Sequence, residues 1–300
     1  MPATSGASET TRQIIPEIVR IAAVADIHCS RTSEGALQPL FAQIAEQADV
    51  LLLCGDLCDY GLPEEAHILV RELDPVLNGT SGRSLPTVAV LGNHDFESGK
   101  QHELSQIFAD AGVHMLDGEA VEILGVGFAG VKGFAGGFGS HTLGAWGESA
   151  IKSFVKEAMD EQIKLECALA RLRSPQRIAI LHYSPIRDTV VGEPVEIFPF
   201  LGTTRLEEPL NRYNVTVAVH GHAHRGSPSG RTSTGIPVYN VSLPLLRAHF
   251  PARPPFRLLE VHTGYTTQTG TQTGTQTETE TEREPLALEQ IDVAPATRKV

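Results

Sequence analysis

Five short apolar runs in this chain each stop at Asp, Asn or His, and that punctuation restricts the fold more than any other feature of the sequence. Arg20 to Ala25 (RIAAVA) ends at Asp26-Ile27-His28, and Asp49 to Cys54 (DVLLLC) ends at Gly55-Asp56. Thr87 to Leu91 (TVAVL) ends at Gly92-Asn93-His94-Asp95, Arg177 to Leu181 (RIAIL) at His182, and Val215 to Val219 (VTVAV) at His220-Gly221-His222-Ala223-His224. Short β-rich apolar runs bounded by Gly and polar residues read as buried strands. Between them, Leu37 to Ala48 has helical spacing (Leu37, Leu40, Phe41, Ile44, Ala48), and Pro63 to Leu73 is similar, with Pro63 suited to a first turn. The longest helical pattern is Glu148 to Arg173, with Ile151, Phe154, Val155, Ala158 and Met159 as its core stripe and Pro175 beyond its end. Strands alternating with helices make a layered α/β fold. Pro237 to Val241 and Arg257 to Val261 show no helical pattern between them, so part of the sheet system is expected to be antiparallel.

Open sheets place functional residues at the carboxyl ends of their strands. If these strands share a sheet, Asp26, His28, Asp56, Asn93, His94, His182, His222 and His224 converge on one edge. Carboxylate, amide and imidazole donors without cysteine suit Mn²⁺, Fe²⁺, Zn²⁺ or Co²⁺. Asp26 and His28 are two residues apart, so both reach one ion as the chain turns, and His222 and His224 have the same spacing. Seven or so ligands exceed one tetrahedral ion and fit two ions with a bridging carboxylate. Alone, a DxH or an HxH is more often surface chemistry, and GNHD can be a turn. All five at successive strand ends is a poor coincidence.

The set resembles the calcineurin-like metallophosphoesterase superfamily, whose blocks are DxH, GDxxD, GNHD or GNHE, a lone His, and GHxH. Here they are Asp26-Ile27-His28, Gly55-Asp56-Leu57-Cys58-Asp59, Gly92-Asn93-His94-Asp95, His182 and Gly221-His222-Ala223-His224, in order over residues 20–240. The resemblance implies an α/β fold of four layers, α-β-β-α, with mixed sheets and the metals at one edge. It implies two divalent metal ions (Mn²⁺, Fe²⁺ or Fe³⁺, Zn²⁺ or Co²⁺). Asp26, His28 and His224 would hold the first, Asn93, His182 and His222 the second, and Asp56 would bridge them. It implies that His94 faces the substrate phosphate as charge stabiliser or proton donor, that Asp95 orients His94, and that Asp59 supports a ligand from behind.

The implied reaction is phosphoester hydrolysis by a hydroxide bridging the two ions. The favoured substrate is a small phosphodiester, with cyclic nucleotides in view. A phosphomonoesterase or pyrophosphohydrolase is the alternative, and a non-catalytic scaffold the remote one. The net charge of -12 disfavours a general nucleic-acid partner, while bound cations would reverse that sign locally. The sequence carries no signal for oligomeric state.

The segment MPATSGASETTRQ has neither a basic start nor an apolar h-region. No apolar run approaches the roughly 20 residues that span a bilayer. Cys29, Cys54, Cys58 and Cys167 form no CxxC pair and read as free thiols in a reducing, cytoplasmic setting. Residues 1–17 are expected to be flexible, 18–262 to form the catalytic domain, and 263–300 to be a low-complexity disordered tail. Gly125 to Gly147 lacks a nucleotide-loop pattern and is expected to be a flexible loop at the site mouth, offering Phe134, Phe138, His141 or Trp146 to substrate. His220 is expected to point away from the site, and Arg187 to be solvated.

Overall fold

The computed structural model describes residues 15–79 and 83–264. The expectations for residues 1–14 and 265–300 lie outside the described residues. Among the described residues, eleven strands form two sheets. The first holds β1 (Ile18–Val24), β2 (Val50–Cys54), β3 (Thr87–Val90), β4 (Val113–Met115) and β11 (Arg257–His262), in the order β11-β1-β2-β3-β4. β1 to β4 run parallel, and β11 closes the edge antiparallel to β1. The second holds β5 (Glu119–Ile123), β6 (Val126–Gly130), β7 (Gln176–Ile180), β8 (Val217–His220), β9 (Ser229–Arg231) and β10 (Pro237–Asn240), in the order β5-β6-β7-β8-β10-β9. β6, β7, β8 and β10 are parallel, and β5 and β9 flank them antiparallel.

Side-chain alternation explains the layering. In β1, Val19, Ile21 and Ala23 face the second sheet, where they meet Phe128, Ile178, Ile180, Val217 and Val219. Ala22 and Val24 face the opposite way, into a core with Phe41 and Ile44 of α1 (Gln38–Gln47), Leu69 of α2 (Pro63–Glu72) and Phe108 of α3 (Gln101–Asp110). Ala129, Ala179 and Ala218 on the outer face of the second sheet pack on Leu165, Ala168 and Leu169 of α4 (Ser149–Arg171). The result is the expected four-layer α-β-β-α sandwich. Strands covered on both faces need continuous apolar runs, which is why they stood out in the sequence. Among the described residues there are three further short helices, α5 (Phe198–Leu201), α6 (Glu207–Arg212) and α7 (Leu243–His249).

Several expectations need correction. α7 lies between β10 and β11, where no helix was expected, and its seven residues are too few to show a period. β10 itself pairs parallel with β8. The stretch 125–147 is no simple loop, because Val126–Gly130 is a fully buried strand. Its glycines mark close packing: a Cβ on Gly130 would sit 2.7 Å from Val90 Cγ1. Met159 is 41% exposed, and the buried stripe of α4 continues through Leu165, Ala168 and Leu169 instead. The β1–β11 ladder extends to Glu17 and Thr263, whose backbones bond at 2.9 Å, one residue beyond each expected boundary.

Local polar chemistry sets some element ends. Glu72, buried at the end of α2, accepts backbone N–H bonds from Gly35 (2.6 Å), Leu37 (2.7 Å) and Gln38 (3.0 Å). A carboxylate at the start of α1 satisfies orphan donors and complements the helix dipole.

Candidate metal centre

The expected ligand residues do converge, but not from one sheet. Asp26, Asp56 and Asn93 follow β1, β2 and β3 of the first sheet, whereas His182, His222 and His224 follow β7 and β8 of the second. The centre lies where the carboxyl ends of the two sheets meet. Backbone bonds join them there: Ala25 N–H to Val241 O and Leu243 N–H to Ala25 O, both at 2.9 Å.

Close approach explains the motif glycines. A Cβ on Gly92 would collide with the Asp56 amide nitrogen and Oδ1, and one on Gly221 would lie 2.5 Å from both Ala25 Cβ and Asp26 Oδ2. Asp26 (φ 55°), His28 (φ 45°), Asp56 (φ 48°) and His222 (φ 70°) all have left-handed backbone, four of the six such non-glycine residues among those described. Each costs about 1–3 kcal/mol and persists only where its surroundings over-determine it. Here Asp26 N–H bonds Gly55 O and His28 N–H bonds Asp56 O, both at 3.0 Å. His222 N–H lies 3.0 and 2.9 Å from the two Asp26 oxygens.

Two donor clusters result. One comprises Asp26, His28, Asp56 and His224, and the other Asp56, His182 and His222, so Asp56 belongs to both. Asn93 joins the second, its Oδ1 2.9 Å from His182 Nε2. Asp26 and His28 fall together as their spacing suggested. His222 and His224 do not, because the left-handed turn at His222 sends them to different clusters. His28, Asp59 and His94 also lie close, with Asp59 Oδ1 3.3 Å from His28 Nδ1, as expected for a carboxylate that orients a ligand.

The ring nitrogens test whether cations fit. His182 Nδ1 is 3.2 Å from the Cys54 carbonyl, which can only accept, so Nδ1 carries the hydrogen. Its Nε2 is therefore a bare lone pair, yet it faces Asn93 Oδ1 at 2.9 Å. Protonation does not relieve this, since full burial holds the His182 pKa well below the usual histidine range. His28 Nε2 is buried without a hydrogen-bond partner, 3.8 Å from Asp56 Oδ2. Acceptors facing acceptors at these distances fit a cation between them.

The carboxylates fit as well. Burial, then the charges of Asp26 and Asp95, push Asp56 up to about 9. Burial opposes ionisation of Asp26 too, but its His224 hydrogen bond and nearby imidazoles outweigh it and hold Asp26 well below the usual carboxylate range. Burial lowers His28, and lowers His222 to about 4. The bond to Asp26 raises His224.

The Asp95 carboxylate bonds backbone amides of two loops. It accepts backbone N–H bonds from Leu57 (3.1 Å), Cys58 (2.8 Å) and Gly92 (2.8 Å), tying the Asp56 loop to the Asn93 loop. Adjacent residues of a 3₁₀ turn point about 120° apart, so His94 and Asp95 in the turn His94–Phe96 diverge. What holds His94 is the Asp59 carbonyl, 2.7 Å from Nδ1. Burial pushes Asp95 up to about 6, and its three amide donors pull it back.

His220 points away from the clusters, fully buried, with Nε2 2.8 Å from Thr189 Oγ1. Arg187 is exposed over the Phe198 ring. Phe138 is buried against Val190 and Leu201, and Phe134 packs on Phe154 and Tyr183, so neither is presented as expected, while His141 and Trp146 are exposed. Two further partners had gone unrecognised. The Phe200 carbonyl is 3.2 Å from His222 Nε2, and the Tyr183 ring lies 4.4 Å from the His222 ring. A carbonyl contact has no sequence signature, although an aromatic directly after the lone His could have been flagged.

Comparison with known proteins agrees with this geometry. The sequence profile described as calcineurin-like phosphoesterase matches residues 19–226. No curated protein sequence matches. Among solved structures, the chain is similar to phosphopantetheinyl hydrolase from Mycobacterium tuberculosis, at 17% identity and a TM-score of 0.55, over 80% of this chain and 95% of that one. It is also similar to GAP50, the anchor in the inner membrane complex of Plasmodium, at 11% identity and a TM-score of 0.49, over 76% and 73%. The first of these likenesses concerns the fold alone. With the profile covering most of the chain and its blocks gathered around two donor clusters, the chain belongs to the calcineurin-like phosphoesterase family and is a metal-dependent phosphoester hydrolase.

Proposed function

We propose that the chain is a binuclear phosphodiesterase acting on small phosphodiesters. In this reading Asp26, His28 and His224 hold one divalent ion, Asn93, His182 and His222 hold the other, and Asp56 bridges them. The observation that carries it is Asp56's membership of both donor clusters. Oxygen and imidazole donors without thiolate favour Mn²⁺, Fe²⁺, Zn²⁺ or Co²⁺. Two such ions would supply positive charge to phosphate oxygens and lower the pKa of a water for attack.

The chain's own residues do the remaining work. Asp26 and Asp56, backed by the Asp95 and Asp59 contacts, fix the spacing of the donors. His94 keeps its Nδ1 hydrogen on the Asp59 carbonyl, which aims Nε2 at the departing oxygen, and the doubly protonated ring is the form that donates its Nε2 proton there. The assembled side chains are three Asp, one Asn and five His (Asp26, Asp56, Asp59, Asn93, His28, His94, His182, His222, His224). A reducing, cytoplasmic setting belongs to the same reading, supported by four free cysteines. Among the described residues no helix is long and apolar enough to cross a membrane.

The test is hydrolysis of bis-p-nitrophenyl phosphate by protein loaded in turn with Mn²⁺, Fe²⁺, Zn²⁺ and Co²⁺, beside p-nitrophenyl phosphate. Turnover of the diester with at least one metal supports the proposal. No turnover with any of them refutes it, and a faster monoester reaction removes the diester preference.

A further inference from the structure

We infer that the cavity beside His28 and Asp59 is a nucleoside subsite, so that the diester cleaved here is a nucleotide whose base lies against Tyr60 and Arg31. This rests on the phosphodiesterase reading above. The cavity measures about 380 Å³ and is lined by Ser30, Arg31, Thr32, Tyr60, Leu62 and Glu65. Small-molecule sites begin at about 300 Å³.

Its position ties it to the reaction. Ser30 to Thr32 start two residues after His28, and Tyr60 directly follows Asp59. Asp59 touches both His28, through Oδ1 at 3.3 Å, and His94, through its carbonyl at 2.7 Å. The Tyr60 loop is therefore the chain's direct continuation of the residue that touches both His28 and His94.

The fittings match a nucleoside. Tyr60 is 56% exposed, yet its backbone is pinned. Tyr60 N–H and Leu62 N–H both donate to Glu65 Oε2, at 2.9 and 3.2 Å, and Glu65 is buried in the first turn of α2. A rigid loop presenting an open aromatic face is a stacking platform that accepts any base. The Arg31 guanidinium is 4.0 Å from Glu64, with both side chains more than 60% exposed. Such a pair contributes almost nothing in water, so the guanidinium can turn to stack on a base or donate to its acceptor edge. Ser30 Oγ lies 3.0 Å from Thr32 Oγ1 and 3.3 Å from Ser33 Oγ, a group of hydroxyls able to meet those of a ribose.

The test titrates the Mn²⁺-loaded full chain calorimetrically with adenosine 5′-monophosphate and with ribose 5-phosphate, which differ only in the base. The wild type is expected to bind the nucleotide at least about tenfold more tightly. Tyr60→Leu is expected to erase most of that ratio, Tyr60→Phe to keep it, and Arg31→Gln to reduce it. Equal affinities in the wild type, or a ratio unchanged in Tyr60→Leu, would overturn the inference. Bis-p-nitrophenyl phosphate turnover is scored separately. Turnover without a base preference leaves the phosphodiesterase reading standing and refutes the subsite. A base preference without turnover supports the subsite and refutes the phosphodiesterase.

Discussion

Loading the centre with metal should expel about one proton per chain at pH 7. Asp26 and Asp56 are buried acids that share a single cluster, so the proton belongs to the pair. Asp26 is held low by His224, and the proton rests on Asp56, pushed up to about 9. Two units above pH 7 leaves about 99% of metal-free chains protonated there, and a coordinating carboxylate must be ionised. His28, His182 and His222 are lowered, so they are neutral at pH 7 and release nothing, while the raised His224 can only add to the release. Displacing the Asp56 proton at pH 7 costs on the order of a few kcal/mol. Metal affinity should therefore rise about tenfold per pH unit from pH 7 to 9 and then level off. Stability follows with a definite sign. A carboxyl raised above its unfolded value stabilises the fold most at low pH and loses that contribution as pH rises through its folded value. Between pH 7 and 9, where the lowered His28, His182, His220 and His222 are neutral in both states and add no slope, the melting temperature of the metal-free chain should thus fall, and that of the loaded chain should fall less. Calorimetric titration with Mn²⁺ in buffers of different ionisation enthalpy counts the protons, and Asp56→Asn should remove most of the release. No release at pH 7, or proton uptake, would refute the charge assignment.

Three other substitutions separate the roles of supporting residues. Asp95→Asn should lower stability by about 1–3 kcal/mol, because the amide sets a donor against one of three backbone donors. It should weaken metal binding while leaving the pH dependence of kcat in place; a changed pH profile with unchanged metal affinity would return Asp95 to orienting His94. Gly92→Ala should abolish metal uptake, measured by elemental analysis of folded protein, since the added methyl collides with Asp56. Glu72→Gln should cost about 2–4 kcal/mol in urea unfolding, from one lost charge-assisted bond and the helix-start charge. Its kcat/KM should stay within about twofold, because Glu72 bonds only backbone at the start of α1 and touches neither cluster.

Much of the fold was legible because both faces of the central strands are covered, which forces continuous apolar runs that a reader can count. β5 was not, since its pattern mixes Glu119 and Glu122 with half-buried residues at a sheet edge. β6 was hidden by Gly127 and Gly130, which look like loop residues but leave room for Leu172 and Val90. α7 was too short to show a period. At the centre, the eight side chains from Asp26 to His224 were identifiable as a group because each ends an apolar run, and their order matches the family's blocks.

Residue type and position along the chain sufficed to say that carboxylates, an amide and imidazoles would gather at strand ends, because which atoms can donate to a cation is a property of each side chain alone. They did not say how those donors divide. Three strand ends come from one sheet and two from the other, so the site exists only where the sheets pack with their carboxyl edges together. That packing, with left-handed turns at Asp26, His28, Asp56 and His222, sends His222 and His224 to different clusters and puts Asp56 in both. It also turns Asp95 away from His94 toward three backbone amides. The physical reason is the same in each case: a hydrogen bond or a shared ligand depends on direction and distance between segments up to 198 residues apart, as for His224 and Asp26, and no local pattern encodes that vector.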